Sequence, residues 1–319
     1  MKKKILFTLL SLCTVLTLLP ETAYATDVSY PVTGGNIYFD VTTGAITGCD
    51  KNVTKADIPS EIYGVPVTSI GSKAFQFCTK LTSVTIPDSV TIIGKRAFDL
   101  CSSLNNVTIP DSVTTIDASA FSICSSLTNI SIPNSVTTIG ESAFAGCGMT
   151  SVTIPDSVIT IREGTFTGCD NLTEVNIPNS VTAIGKLAFH KCNSLISMTI
   201  PDSVTTIQEG AFQSCTGLKD VYYGGDVYNW AAIQIDSNYN HNAPLIAATL
   251  HLNSIIAPAD IETPIGTELP TETDAIAETD APTETETSVE TKAPVETRAP
   301  IETRDCSHKG RCDIMKKWN

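Results

Sequence analysis

Seven phenylalanines, Phe75, Phe98, Phe121, Phe144, Phe166, Phe189 and Phe212, stand 23, 23, 23, 22, 23 and 23 residues apart. The isoleucines of six Ile-Pro pairs, Ile86, Ile109, Ile132, Ile154, Ile177 and Ile200, keep the same beat. One unit reads Leu-x-x-Val-x-Ile-Pro-Asp/Asn-Ser-Val-x-x-Ile-Gly-x-x-Ala-Phe-x-x-Cys-x-x, and six full units run from Leu81 to Gly217 with partial units on each side. A fixed period of this length is the signature of a repeat architecture, in which no unit covers its own apolar face and neighbours must stack. The single short step has a visible cause. Around Cys147-Gly148-Met149 one residue is missing and Met149 takes the leucine slot, which makes this coil the expected weak place in the stack.

The spacing within a unit predicts its path. Val84, Thr85 and Ile86 alternate apolar and polar, the pattern of a strand with one polar face. Pro87 ends the strand because it has no N–H for a ladder, and Asp88-Ser89 turn the chain. Val90 and Ile93 point inward, and Gly94 permits the next corner. Ala97, Phe98 and Cys101 sit at spacings of one and three, which predicts a single helical turn closing the coil. Stacked parallel strands lie roughly 4.8 Å apart, so about eight coils give a body roughly 40 Å long on the strand side. Both ends of such a stack need caps, and the segments Val28 to Tyr63 and Val221 to Leu252 depart from the repeat.

The unit Leu-Thr-Ser-Val-Thr-Ile-Pro-Asp-Ser-Val-Thr-x-Ile-Gly-x-x-Ala-Phe-x-x-Cys resembles the BspA-like, or Treponema-type, leucine-rich repeats. The flanks are similar as well. Gly44-Ala45-Ile46-Thr47-Gly48, leading to Ile58-Pro59-Ser60-Glu61-Ile62-Tyr63-Gly64-Val65-Pro66-Val67, resembles that family's opening unit. Val221-Tyr222-Tyr223-Gly224-Gly225, Trp230 and Thr249-Leu250-His251-Leu252-Asn253 resemble its closing module. The resemblance covers about residues 36 to 253 and departs from the ordinary leucine-rich consensus, since Ile-Pro stands where the strand-end asparagine is usual. It implies a β-rich leucine-rich-repeat solenoid: a right-handed stack of coils with a parallel sheet on the strand side and short helical turns opposite. It also implies surface-exposed binding, in several members adhesion to host matrix or to other bacteria.

Outside the repeat, composition divides the chain. Residues 1–25 read as an export signal: Lys2 to Lys4, an apolar stretch from Ile5 to Leu19, and the small-x-small site Ala23-Tyr24-Ala25. Cys13 is a poor lipidation site, because the bulky Leu12 precedes it and the apolar run continues past it. Cleavage after Ala25 removes three lysines and Glu21 and takes the net charge from −14 to −16. Such a balance argues against nucleic acid and against docking on anionic lipid. No later segment is apolar for long enough to span a bilayer. The expected organisation is therefore a signal (1–25), an N-terminal cap with a first partial repeat (26–66), the repeats (67–218), a C-terminal capping module (219–253), a linker (254–304) and a short Cys-containing tail (305–319). The linker is rich in Thr, Glu and Pro, and Asp260 to Arg304 carries twelve acidic residues against Lys292, Arg298 and Arg304. That composition predicts a disordered acidic tether. In the tail, Asp305, Ser307, Lys309 and Gly310 faintly resemble the start of a dockerin-type calcium loop. Lys309 stands where an acidic donor is needed and Lys316 where the loop should close, so no metal is expected.

Chemistry-bearing residues are few. Seven cysteines ride the repeat, Cys78, Cys101, Cys124, Cys147, Cys169, Cys192 and Cys215, and read as a column of buried thiols beside the Phe column rather than a disulfide ladder or a zinc site. His190, His241, His251 and His308 have no recognisable nucleophile or metal partner nearby in sequence, and the recurring Asp of Asp-Ser marks a turn. The chain is expected to be no enzyme and to hold no cofactor. Two columns of outward strand residues form the candidate binding surface: Ser83, Asn106, Asn129, Ser151, Glu174 and Ser197 in one, Thr85, Thr108, Ser131, Thr153, Asn176 and Thr199 in the other. They are short, mostly neutral hydrogen-bonding groups on a rigid sheet. Tyr222, Tyr223 and Trp230 cluster in the closing module, as a cover for the last coil's core or as a contact patch for protein or glycan. The leading expectation is a secreted or cell-surface monomer that binds a host or bacterial surface protein or glycoprotein. The alternatives are a non-catalytic accessory subunit of an extracellular enzyme complex and a structural surface-layer component.

Overall fold

The computed structural model describes residues 27–238 and 241–252. The signal, linker and tail expectations lie outside these residues, as does Asn253. The chain opens with an antiparallel hairpin, Asp27–Val32 against Gly35–Asp40, and the second strand continues antiparallel to Ala45–Cys49. Direction then changes. Ala45–Cys49 pairs in parallel with Ser69–Ile70, and Lys55–Asp57 pairs in parallel with Ser83–Thr85. The opening segment thus starts both sides of the stack before the first full unit begins.

Each coil but that of Phe144, which has only the second, contributes two strand pieces. The first is the predicted one, represented by Ser83–Thr85, Asn106–Thr108, Ser151–Thr153, Glu174–Asn176 and Ser197–Ile200, all in parallel arrangement with neighbours one period away. The second is only two residues long and was not anticipated as a strand. Ile92–Ile93, Thr115–Ile116 and Thr138–Ile139 form one parallel run, and Thr160–Ile161, Ala183–Ile184 and Thr206–Ile207 form another. Between the two pieces the Ser of Asp/Asn-Ser turns back to the coil before it. Ser112 Oγ donates to the Val90 carbonyl at 2.6 Å, and Ser135, Ser180 and Ser203 repeat the contact.

The third side closes the coil with linked turns and not with a turn of α-helix. In each coil two residues four apart take left-handed backbone: Lys73 and Phe77, Arg96 and Leu100, Ser119 and Ile123, Ser142 and Gly146, Gly164 and Gly168, Leu187 and Lys191, Gly210 and Ser214. The alternation directs N–H groups by turns inward and onward. Ala97, Asp99 and Cys101 N–H donate three residues back within their own coil, whereas Arg96, Phe98 and Leu100 N–H donate to Ala118, Ala120 and Ser122 carbonyls of the next. A continuous helix would spend all these donors on itself and leave nothing to tie the coils. The left-handed region is open to glycine and strained for most other residues, yet only four of these positions are glycine.

The core is a set of side-chain columns packed in register, the Phe and Cys columns among them. Phe75 to Phe212 stack with adjacent ring centroids 5.1–5.9 Å apart and nearly parallel planes, all fully buried. Six of the seven repeat cysteines are free and buried. The seventh corrects the expectation of an unbroken thiol column: Cys78 is disulfide-bonded to Cys49. Cys49 lies outside the repeat, in the opening hairpin's third strand, so the period gave no hint of it. Each free thiol donates to the Phe carbonyl of the preceding coil, for example Cys101 to Phe75 at 3.0 Å and Cys215 to Phe189 at 3.0 Å. The column therefore asks for a small apolar group that is also a donor, which cysteine satisfies and alanine does not. Burial pushes these thiols up, to about 12 for Cys101, Cys169 and Cys215.

The one-residue deletion leaves a seam. Among the described residues, neither strand side forms a ladder between the coil of Phe144 and that of Phe166: Thr138–Ile139 ends one sheet and Thr160–Ile161 begins another, and Asn129 to Ser131 lie in no strand. The closing turns still cross the seam, Ser142, Phe144 and Gly146 N–H donating to Glu163, Thr165 and Thr167 carbonyls. The Phe144–Phe166 centroid distance, 5.9 Å, is the widest in the stack.

The far end closes with two short helices, α1 (Val227–Ala232) and α2 (Ala243–Ala247). Asp226 caps α1 through Oδ1, which accepts from Asn229 N–H at 2.8 Å. Asn242 is fully buried, and its amide imitates a missing further coil. Its Oδ1 accepts from Phe212 N–H at 3.0 Å, while its Nδ2 donates to Gln208 and Asp236 carbonyls at 3.0 and 2.7 Å.

Candidate functional site

Strand alternation and parallel register place the predicted surface residues in rows. Ser83 stands beside Asn106 and Thr85 beside Thr108; Ser151 stands beside Glu174 and Thr153 beside Asn176. The rows are not continuous along the whole stack. Asn129 and Ser131 are exposed but lie in the unpaired segment at the seam. A cleft of about 490 Å³ opens there, lined among others by Asp111, Ser131, Asn134, Ser151 and Thr153. Ser197 and Thr199 are half-buried and start a third block of rows.

Both ends of the rows carry charged or aromatic groups, of which Tyr222 was anticipated and Lys55, Asp57, Asp220 and His251 were not. At the first end, Lys55 and Asp57 extend the columns of Ser83 and Thr85. Lys55 Nζ lies 2.9 Å from Asp57 Oδ2, and Thr85 Oγ1 donates to Asp57 Oδ1 at 2.9 Å. These two hydrogen bonds, the one from Lys55 foremost, hold the Asp57 carboxyl below its ordinary value. At the other end, Ser197 pairs with Asp220 and Thr199 with Tyr222, and Tyr222 in turn with His251. The Tyr222 and His251 rings stack at 4.6 Å, and His251 Nε2 lies 2.8 Å from Asp220 Oδ1. Asp220 and His251 are 31 residues apart, so only the coil register brings them together.

The aromatic cluster divides in two. Tyr222 faces outward and half-exposed, but Tyr223 is 1% exposed and belongs to the core. Trp230 meets Tyr223 edge-on at 5.2 Å, so these two cover the last coil, and Tyr223 is removed from the contact surface. Alternation along Asp220–Tyr223 already held that signal, because neighbouring residues of a strand face opposite ways.

Two histidines have carboxylate neighbours: His241 Nδ1 is 3.3 Å from Glu209 Oε1, and His251 Nε2 is 2.8 Å from Asp220 Oδ1. No group of three or more His, Cys, Asp or Glu side chains among the described residues has the geometry to hold a metal ion. No helix among the described residues is long and apolar enough to cross a membrane.

The sequence profile described as BspA type leucine rich repeat region matches residues 45–161 and 137–232, in 6 copies. Together these segments span more than half of the chain. Among solved structures, a leucine-rich repeat protein from Bacteroides ovatus ATCC 8483 is similar with 25% identity and a TM-score of 0.50, over 64% of this chain and 71% of that one. The T. pallidum leucine-rich repeat protein is similar with 25% identity and a TM-score of 0.43, over 73% of this chain and 98% of that one. No curated protein matches the chain.

Proposed function

Because the chain belongs to the BspA-type leucine-rich-repeat family, we propose that it is a non-catalytic binding protein that acts outside the cell or on its surface. Its partner in this reading is a host or bacterial surface protein or glycoprotein. The observation that carries the reading is the strand face: short hydroxyl and amide side chains aligned in rows by parallel register, on a backbone already fixed by stacking. Such groups are pre-organised, so a partner that matches them orders little of the protein on binding. Tyr222, stacked on His251 beside Asp220, supplies an aromatic platform on this face, the kind of group that anchors a contact. Support for export comes from the basic start, apolar stretch and small-x-small site of residues 1–25.

The test immobilises the exported chain and exposes it to mucin, host matrix proteins and surface extracts of neighbouring bacteria. The control carries Thr85→Lys, Thr108→Lys, Thr153→Lys and Tyr222→Ala, all outside the buried core. Retention of one purified partner by the natural chain and its loss in the control, with an unchanged melting midpoint, is the expected result. Equal retention by both chains would sink this choice of face.

A further inference from the structure

The closing-turn side carries a feature that coil geometry does not require. Its second left-handed position is Phe77, Leu100 and Ile123 in the first three coils, Gly146 and Gly168 in the next two, then Lys191 and Ser214. Members of this column lie directly over one another. A Cβ at Gly146 would stand 3.5 Å from Ile123 Cγ1, and one at Gly168 would stand 3.9 Å from Gly146 Cα. The repeat therefore provides its own control. Every coil needs left-handed backbone here, and glycine supplies it without strain. The first three coils instead hold large apolar side chains at φ of 62°, 63° and 58°, and the last of them is β-branched, the least suited to that region. Nor are they covered: Phe77 is 54% and Ile123 46% exposed, with Leu100 half-buried between them. Backbone ease and burial both argue against these residues, so folding does not account for them.

Cations border this ridge. Lys73 and Arg96 occupy the first left-handed position of the same turns as Phe77 and Leu100, and Lys95 adjoins them. All three are exposed, and none is in an ion pair among the described residues. The cations border the coils of Phe77 and Leu100; in the coil of Ile123 the matching positions are Ala118 and Ser119 beside Asp117, and in the next two coils the column of Lys95 turns to Glu141 and Glu163.

We propose that the Phe77–Leu100–Ile123 ridge and its cation border form a docking surface for an acidic polypeptide segment carrying bulky apolar side chains. Charge complementarity selects the acid, since unpaired cations stand beside the ridge in a chain of net charge −14. Three coils spaced like the Phe75, Phe98 and Phe121 rings, 5.1 Å apart, offer a ridge of a few side chains' height, the scale of a peptide contact. The glycine step at Gly146 and Gly168 leaves room for a bulky side chain of the segment against Ile123. A lipid surface fits less well, because Phe77, Leu100 and Ile123 offer far less apolar area than the face a membrane-lying helix buries.

The test uses the full chain and a fluorescein-labelled dodecapeptide in which Asp and Glu alternate with Phe, Leu and Ile, read by fluorescence anisotropy. Control probes replace the acids by Lys or the apolar residues by Ser. Saturable binding of the first probe alone is expected, weakening with added salt. The variant Phe77→Gly, Leu100→Gly, Ile123→Gly relieves left-handed strain, so its melting midpoint should be unchanged or higher while affinity falls at least about tenfold. Lys73→Glu with Arg96→Glu should weaken binding comparably. The strand-face control described above should bind the probe like the natural chain, which separates this surface from that one. Undiminished binding by the glycine variant, no saturable binding by the natural chain, or a lower midpoint in the glycine variant would each overturn the proposal. So would ridge-dependent binding to phosphatidylglycerol vesicles in place of the peptide.

Discussion

Replacing Phe144 by Ala tests both the core column and the seam. The ring is fully buried between Phe121 at 5.6 Å and Phe166 at 5.9 Å, so its removal leaves a cavity that the two neighbours cannot fill without leaving their own coils. A truncation of this kind costs about 3–5 kcal/mol, of which the two lost ring pairs account for roughly 0.5–1.5 kcal/mol each. Phe98, stacked at 5.1 Å on both sides, should lose a similar amount. The two variants differ in what remains across the interface. Around Phe98 both strand sides keep parallel ladders, from Ser83–Thr85 to Asn106–Thr108 and from Ile92–Ile93 to Thr115–Ile116. Across the seam after Phe144 neither side does, and coupling rests on the closing turns, the rings and single bonds: Thr150 N–H to the Thr128 carbonyl, Ser157 Oγ to the Asn134 and Val136 carbonyls, and Cys169 Sγ to the Phe144 carbonyl. In a stack, stability is a sum of coil and interface terms, and cooperativity is lost where an interface term becomes small. Urea unfolding would be followed by circular dichroism for the whole chain and by Trp230 fluorescence for the far block, in a Trp318→Phe background. Phe98→Ala should shift a single transition in which both signals coincide. Phe144→Ala should split the circular dichroism trace into two steps, only one of which Trp230 reports. Coincident traces for Phe144→Ala would refute the seam, and a midpoint that barely moves would refute the buried column.

Three further outcomes follow from the C-terminal cap and the thiols. Asn242→Ala strands the buried Phe212 N–H and two carbonyls, a cost of about 1–3 kcal/mol that differential scanning calorimetry would register, with faster hydrogen exchange at Phe212; an unchanged midpoint would show that water replaces the amide. The thiols bear on alkaline stability. An unfolded thiol loses its proton near pH 9, whereas burial holds the protons of Cys101, Cys169 and Cys215 to about 12. The folded chain therefore keeps more protons in that window, so the thiol contribution is full below about pH 9 and falls as pH rises through it. Urea midpoints measured from pH 8 upward should drop less steeply in Cys101→Ala, Cys169→Ala, Cys215→Ala than in the natural chain; parallel curves would refute the assignment. Iodoacetamide at pH 8 should leave the six free repeat cysteines, Cys101 to Cys215, unmodified until the chain unfolds.

The period, the Phe and Cys columns and the polar rows were legible because each recurs at a fixed offset and repetition multiplies a weak signal. What escaped lacks that amplification. The second ladder consists of two-residue strands such as Thr115–Ile116, too short to show alternation. The linked turns are hidden because most of their left-handed positions are not glycine, and Ala97, Phe98 and Cys101 fit the spacing of a helical turn equally well. Asn242 and the Asp220–His251 pair occur once, in the closing module, and their partners lie one coil away in space but about 30 residues away in sequence. Asn129 and Ser131 fit the column pattern, yet the deletion some 20 residues later breaks the ladder that would have held them.

The linked turns also give their own side of the stack an electrical direction, whereas second-ladder N–H groups such as those of Gly94 and Asp117 point back to the preceding coil. At all six interfaces from the coil of Phe75 to that of Phe212, three N–H groups of one coil point at three carbonyls of the next, always toward the C-terminal end. Peptide dipoles aligned in this way add, as they do along a helix, leaving partial negative charge on the carbonyls of the first coil and partial positive charge on the N–H groups of the last. The flanking residues answer that field. Lys51 Nζ donates to the Gln76 carbonyl at the negative end, and the Asn242 oxygen receives Phe212 N–H at the positive end. Adding a coil in the middle would lengthen this array without altering its poles, whereas exchanging the two caps would set each against the wrong one.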